Sequence, residues 1–297
     1  MWSETEERIL PQPCSVNESA GCEKQGPNNS SFLQSHQLLS YFALVFTITW
    51  GIGGVCLLAP AIVKPLARGP ALTNPLFYLA VYAPTTASLV LTALFGGTAG
   101  LRKLLGRLLP WRAGVQWYLG VLLGYPLVGL LAGRAAGLFG VAQGHIPDWG
   151  HFLWALIPAL VVDPGPLGEE LGWRGFALPR MLARWGPLKA SLLLGLVWGI
   201  WHLPAFLIVG LPQNRLAFPA LLLATMSVSV IDTWVFLHTE GNVLLMILVH
   251  LMTNHSFKLL GVSFATSVAA GVCCAVLIVL AGGMRVAPMA RAKAVAT

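Results

Sequence analysis

Three short stretches of this chain carry residue types that can activate water and stabilise an oxyanion: Glu169-Glu170-Leu171-Gly172-Trp173-Arg174, then Trp198-Gly199-Ile200-Trp201-His202, then His250-Leu251-Met252-Thr253-Asn254. A carboxylate and an imidazole can take a proton from water, and an imidazole and an amide can donate hydrogen bonds to a developing oxyanion. Glu170 and Arg174 lie four apart, one helical turn, and can form an ion pair. Glu169 then points about 100° away around the same helix, free of that pair. His250 and Asn254 share a helix face by the same spacing. Each also has a plainer reading. A lone histidine or asparagine in a membrane helix can bond across to a neighbouring helix, and a Glu–Arg pair at a helix end can simply anchor it. Taken together, a carboxylate, two imidazoles and an amide on three separate segments form a set for activating water and binding an oxyanion.

The elements that must position them are membrane helices. Of 297 residues, 56% are hydrophobic and 10% charged, and mean hydropathy is +0.74, outside the range of a soluble globular domain. A hydrocarbon core needs roughly 20 apolar residues per helix, and the apolar runs place eight segments near 38–59, 73–95, 115–139, 151–178, 188–210, 216–237, 242–257 and 260–282. The expected fold is therefore all-α, a polytopic membrane protein with a membrane-embedded domain over 36–284 and a motif core over 150–258. The fourth segment is irregular. Its apolar run ends in Asp163-Pro164-Gly165-Pro166, which breaks or restarts a helix, and the charged Glu169–Arg174 stretch follows at once. Irregular backbone at membrane depth persists only where protein or a water-filled cavity surrounds it, so the break and the charges point to one cavity.

The net charge of +7 belongs to membrane flanks rather than to a nucleic-acid surface. Arg102, Lys103, Arg107 and Arg112 are expected in one loop, Arg180, Arg184 and Lys189 in another, and Arg285, Arg291 and Lys293 in the tail 285–297. With an even number of crossings these fall on one side, so both termini are expected in the cytoplasm of a multi-pass cell-membrane protein. Lys64 and Arg68 run against that rule. Residues 1–35 read as a disordered polar tail, and Cys14, Cys22, Cys56, Cys273 and Cys274 show no metal-type spacing.

The ordered set Glu169-Glu170-x-x-x-Arg174, aromatic-x-x-x-His at Trp198 to His202, and His250-x-x-x-Asn254 resembles the CPBP family of CAAX proteases and bacteriocin-processing proteins. Glu-Glu-Leu-Gly-Trp-Arg-Gly-Phe and Trp-Gly-Ile-Trp-His-Leu-Pro carry the likeness, with Trp198 standing where the family pattern has Phe. The resemblance implies an intramembrane endopeptidase with a conical cavity open to the cytoplasm, acting on a peptide or protein substrate that is prenylated in the CAAX-processing members. It also implies Glu169 as general base assisted by His202, His250 and Asn254 as oxyanion donors, and Glu170 with Arg174 holding Glu169 in place. A metal is the main fork. Glu169, His202 and His250 make a two-histidine, one-glutamate set of the catalytic zinc type, but HExxH is absent and the ligands come from three helices. A metal-free glutamate mechanism is the preferred expectation.

Two other classes compete. A bacteriocin self-immunity protein or membrane scaffold of the same fold needs none of the four candidate residues. A transporter predicts an inverted repeat, and the charged break has no counterpart in segments one to three. Asp232, in the sixth segment, is expected in a buried hydrogen-bonded role, and His255 is expected to face away from Asn254.

Overall fold

The computed structural model describes residues 36–59, 75–109, 113–141 and 149–285. The polar tail 1–35, Lys64, Arg68, Arg112 and all of the basic tail after Arg285 lie outside them. The described residues are helical, with no strand among them. In order they form α1 (Gln37–Leu58), α2 (Pro75–Val81), α3 (Ala83–Gly106), α4 (Val115–Leu138), α5 (Trp149–Val162), α6 (Pro164–Glu170), a π-helical turn (Leu171–Ala177), α7 (Leu178–Arg184), α8 (Pro187–Trp201), α9 (Leu203–Leu207), α10 (Phe218–His238), α11 (Val243–Leu259) and α12 (Phe264–Leu280).

The passages across the bilayer follow from length. α1, α3, α4, α8 with α9, and α10 are each long and apolar enough to cross, and α11 and α12 are shorter apolar helices. Between α4 and α8, the stretch α5 to α7 is divided into short pieces. These elements lie where the eight segments were expected, and the second and fifth differ in detail. The second segment bends at Tyr82 and continues to Gly106, so Arg102 and Lys103 sit on a helix rather than in a loop. The fifth helix stops at Trp201, and His202 forms the junction between α8 and α9. The fourth breaks at Asp163, as the Pro-Gly-Pro stretch requires.

That break is capped in an ordinary way. Asp163 leaves helical geometry with φ −82° and ψ 106°, and its side chain accepts from the Gly165 backbone N–H. Pro164 occupies the first helical position, where its missing N–H costs nothing. The π turn that follows carries Arg174, and an i→i+5 turn inside a helix commonly marks a functional site.

The bundle closes by helices approaching where they have no side chain. A Cβ on Gly172 would sit 2.4 Å from the Pro84 carbonyl and 2.5 Å from the Tyr41 hydroxyl, so α1, α3 and the π turn meet only because the residue is glycine. Gly195 and Gly199 let α8 lie against Met226 and Thr225 of α10 in the same manner. Small residues at such contacts are how helices associate in lipid, where apolar burial gives no driving force. Tyr41 packs against Trp173 and Phe176 with ring centroids 5.7 and 4.9 Å apart, beside the polar cluster described next. Outward-facing leucines such as Leu94, Leu123 and Leu277, 62–69% exposed, present an apolar surface suited to acyl chains.

Candidate active site

Two adjacent carboxylates leave the end of α6 for different destinations. Glu170 Oε1 accepts from Arg174 Nη1 at 2.7 Å and from His250 Nδ1 at 2.7 Å. Arg174 also donates through Nη2 to Asp232 Oδ2 on α10. Glu170 and Arg174 are fully buried, Asp232 and His250 nearly so. The helix-turn ion pair is therefore present, and Asp232 has the buried bonded role expected of it. The resemblance implies that Glu170 and Arg174 hold Glu169 in place; their own hydrogen bonds run to His250 and Asp232. The i,i+4 pairing uses one face of the turn, and the residue across that face is the histidine of α11.

Glu169 is anchored by indoles. Its Oε2 accepts from Trp198 Nε1 at 2.6 Å and from Trp173 Nε1 at 3.3 Å, so the carboxylate is oriented by hydrogen bonds without a salt bridge of its own. Trp198 links the two networks: its ring lies 4.4 Å from the Arg174 guanidinium carbon, a cation–π contact, while its N–H reaches Glu169. A phenylalanine there could make the first contact and not the second, so the departure at Trp198 matters to the site.

Gly165 leaves a small space in front of these groups. A Cβ there would lie 3.2 Å from Asp163 Oδ1, 3.3 Å from His250 Nε2 and 3.4 Å from Glu169 Oε1. Three polar atoms from three parts of the chain thus face one point. Asp163 is also bonded from α11, with Asn254 Nδ2 at 3.0 Å and His255 Nε2 at 3.0 Å, both on Oδ2. His255 was expected to face elsewhere. Adjacent helical residues diverge by about 100°, but α11 passes close enough to α6 for an acceptor between those two directions to receive both.

His202 lies on the α8–α9 junction and lines the same cavity as these groups. Its Nδ1 lies 2.9 Å from the Trp198 carbonyl. A carbonyl only accepts, so Nδ1 carries the proton and Nε2 of the neutral ring is an acceptor. Trp201 packs on the ring at 4.7 Å and is itself held by Nε1–H to Thr49 Oγ1 at 2.8 Å.

All four candidates, Glu169, His202, His250 and Asn254, line one cavity of about 1860 Å³, together with Asp163 and His255. That exceeds a usual small-ligand pocket of roughly 300–1,000 Å³. Sequence reasoning missed Asp163 and Trp173 as parts of the site, and placed Trp198 in the motif without its bond to Glu169. The acid before Pro164 in an apolar run was a usable signal, whereas nothing separates Trp173 from packing residues. Among the described residues no three His, Cys, Asp or Glu side chains form a group that could hold a metal ion as they stand. The loop residues lining the cavity, such as Ile208, Gln213 and Gly261, belong to the end of the bundle opposite the basic turns around Arg107 and Arg184. A mouth open to the cytoplasm and basic turns in the cytoplasm are thus expectations that point to opposite ends.

Comparison with known proteins agrees with the motif reading. Residues 148–256 match the family described as type II CAAX prenyl endopeptidase Rce1-like. A protein named CAAX prenyl protease 2, from Methanococcus maripaludis, is 29% identical over 106 residues, covering 34% of this chain and 39% of that relative. The alignment thus spans well under half of the relative's length. The family match runs from α5 to most of α11, the elements that supply every candidate residue. Over this core the chain is similar to the CPBP family of CAAX proteases.

Proposed function

We propose that this chain is an intramembrane endopeptidase that hydrolyses a peptide bond near the C-terminus of CAAX-type substrates. The observation that carries the proposal is the convergence of Glu169 Oε1, His250 Nε2 and Asp163 Oδ1 on the space left by Gly165, at the wall of a cavity large enough for an extended peptide.

This chain's own groups can supply the whole step. A water molecule placed against Glu169 gives its proton to that carboxylate as its oxygen attacks the scissile carbonyl carbon, and His202 Nε2 accepts the water's other hydrogen bond. The carbonyl oxygen becomes an oxyanion. His250 donates to it through Nε2–H; with Nδ1–H held by Glu170 the ring is then an imidazolium, its charge balanced by that carboxylate. Asn254 has two N–H groups. One is held by Asp163 and the other is left for the oxyanion. The proton on Glu169 then passes to the leaving nitrogen and the C–N bond breaks, giving a carboxylic acid and an amine.

The ion network behind His250 is a positioning device: Glu170 fixes the ring, Arg174 balances Glu170, and Asp232 balances Arg174. Preorganised donors in a low-dielectric wall are what make such a site fast. The test is cleavage of quenched CAAX-type peptides, prenylated and unprenylated, by the purified protein in detergent or nanodiscs, with and without a zinc chelator. Cutting that survives the chelator is expected. Absence of cutting on every peptide would support the self-immunity or scaffold alternative, and loss of cutting on chelation would contradict the metal-free step.

A further inference from the structure

We propose that Lys258 is a carboxylate-binding subsite that receives the free C-terminus of the substrate, and so makes the chain end itself a specificity determinant. The inference rests on the endopeptidase reading and adds to it where the bound peptide ends.

Lys258 lines the same cavity as Glu169, His250 and Asn254, and it is the one Lys or Arg among the described residues that do so. No carboxylate of the described residues is paired with it, and it is exposed. His250, Asn254 and Lys258 are spaced by four on α11, so they form one stripe along the cavity wall. The stripe therefore runs from an oxyanion donor to a cation.

Length fits a short C-terminal leaving segment. In a C-terminal C-a-a-X sequence, three residues follow the cysteine, and three extended residues span about 10 Å. Asn254 and Lys258 are separated by about 6 Å along the helix, and the four-carbon stem of lysine supplies further reach. A scissile carbonyl at Asn254 thus places a carboxylate three residues on within range of the ammonium. A tripeptide end fits, whereas a long C-terminal extension would carry its carboxylate past Lys258.

Charge gives the same direction. The other ionisable groups on this wall are Asp163 and Glu169, with His202, His250 and His255. Asp163 is engaged by Asn254 and His255 at the base end, so an incoming carboxylate is repelled there and drawn one turn along α11. Lysine is a compact charge with rotatable donors rather than a planar fork, which suits a terminal carboxylate whose last side chain varies.

The test uses the full-length protein and matched peptides ending in a free acid or an amide. Wild type should cut the acid with kcat/KM about tenfold above the amide, the low end for one hydrogen bond to a charged group. The difference should appear mainly in KM, because the contact is made equally before and during the reaction. Lys258→Met should bring the acid-to-amide ratio close to one, and Lys258→Arg should restore most of it. An unchanged ratio in Lys258→Met would overturn the proposal. Binding of the same two peptides, followed by tryptophan fluorescence, separates the two readings. A preference for the acid that vanishes in Lys258→Met, in a protein that cuts neither peptide, would sink the endopeptidase reading and keep the subsite. Equal affinity for acid and amide in wild type would sink the subsite.

Discussion

Two polar clusters meet α11 within two turns of each other, and they are built on opposite principles. Behind His250, the network of Glu170, Arg174 and Asp232 is closed to solvent and spans the π turn, α10 and α11. In front, Asp163, Asn254 and His255 form a smaller cluster that opens on the cavity, with the Asp163 and His255 side chains each about a fifth exposed, at 20% and 21%. The first holds charges that cannot leave, and the second holds donors that a substrate can engage. Glu169 belongs to neither, since it is bonded only by neutral indoles. Partner, rather than burial or residue type, separates the fixed carboxylates from the one left free to accept a proton.

The sharpest way to break this contrast is to remove the centre of the closed network. Arg174→Ala leaves Glu170 and Asp232 buried without their common cation, an arrangement that costs about 3–5 kcal/mol. Thermal unfolding in detergent should show a large loss of stability and little recoverable activity. Retention of the wild-type unfolding temperature would mean that the network does not hold the fold.

In the open cluster the expected losses are kinetic. Asn254→Ala should lower turnover roughly 10²- to 10³-fold with KM little changed, since one oxyanion donor is removed. A rise in KM with turnover intact would reassign Asn254 to substrate binding. Gly165→Ala places a methyl within 3.2–3.4 Å of Asp163, His250 and Glu169. It should reduce cutting about tenfold or more through displaced groups while the unfolding temperature stays close to wild type. His255→Ala removes only one of three donors to a part-exposed carboxylate, so a change in kcat of about threefold is expected. A loss as large as that for Asn254→Ala would place His255 among the reacting groups.

Much of this arrangement was legible in the sequence, and the reasons are physical. Polar and ionisable residues in apolar runs are costly enough to mark the site on their own, so Glu169, Glu170, Arg174, His202, His250 and Asn254 stood out; the structure brings Glu169, His202, His250 and Asn254 to one cavity wall and buries Glu170 and Arg174 behind it. The break at Asp163 followed from proline chemistry. What the spacing could not supply was partnership across helices. An i,i+4 rule pairs Glu170 with Arg174, but only the crossing of α11 over α6 turns Glu170 toward His250 and brings both Asn254 and His255 to Asp163. Trp198 shows the same limit, because an indole in an apolar helix looks like packing until a carboxylate is found 2.6 Å from its N–H. The extension of α3 to Gly106 was hidden because Arg102 and Lys103 read as loop charges, yet they ride on the end of a helix that bends at Gly97, where φ is 56°.

The central claim is that Glu169 accepts the proton of the attacking water. Single-turnover cleavage by wild type and Glu169→Gln, with peptide binding measured on both proteins, tests it most directly. Glutamine keeps the shape and can still accept from Trp198 and Trp173, so binding and fold should be unchanged. The cleavage rate is expected to fall about 10³-fold or more, within the range that a general base contributes. A Glu169→Gln protein that binds and cuts at the wild-type rate would contradict the account.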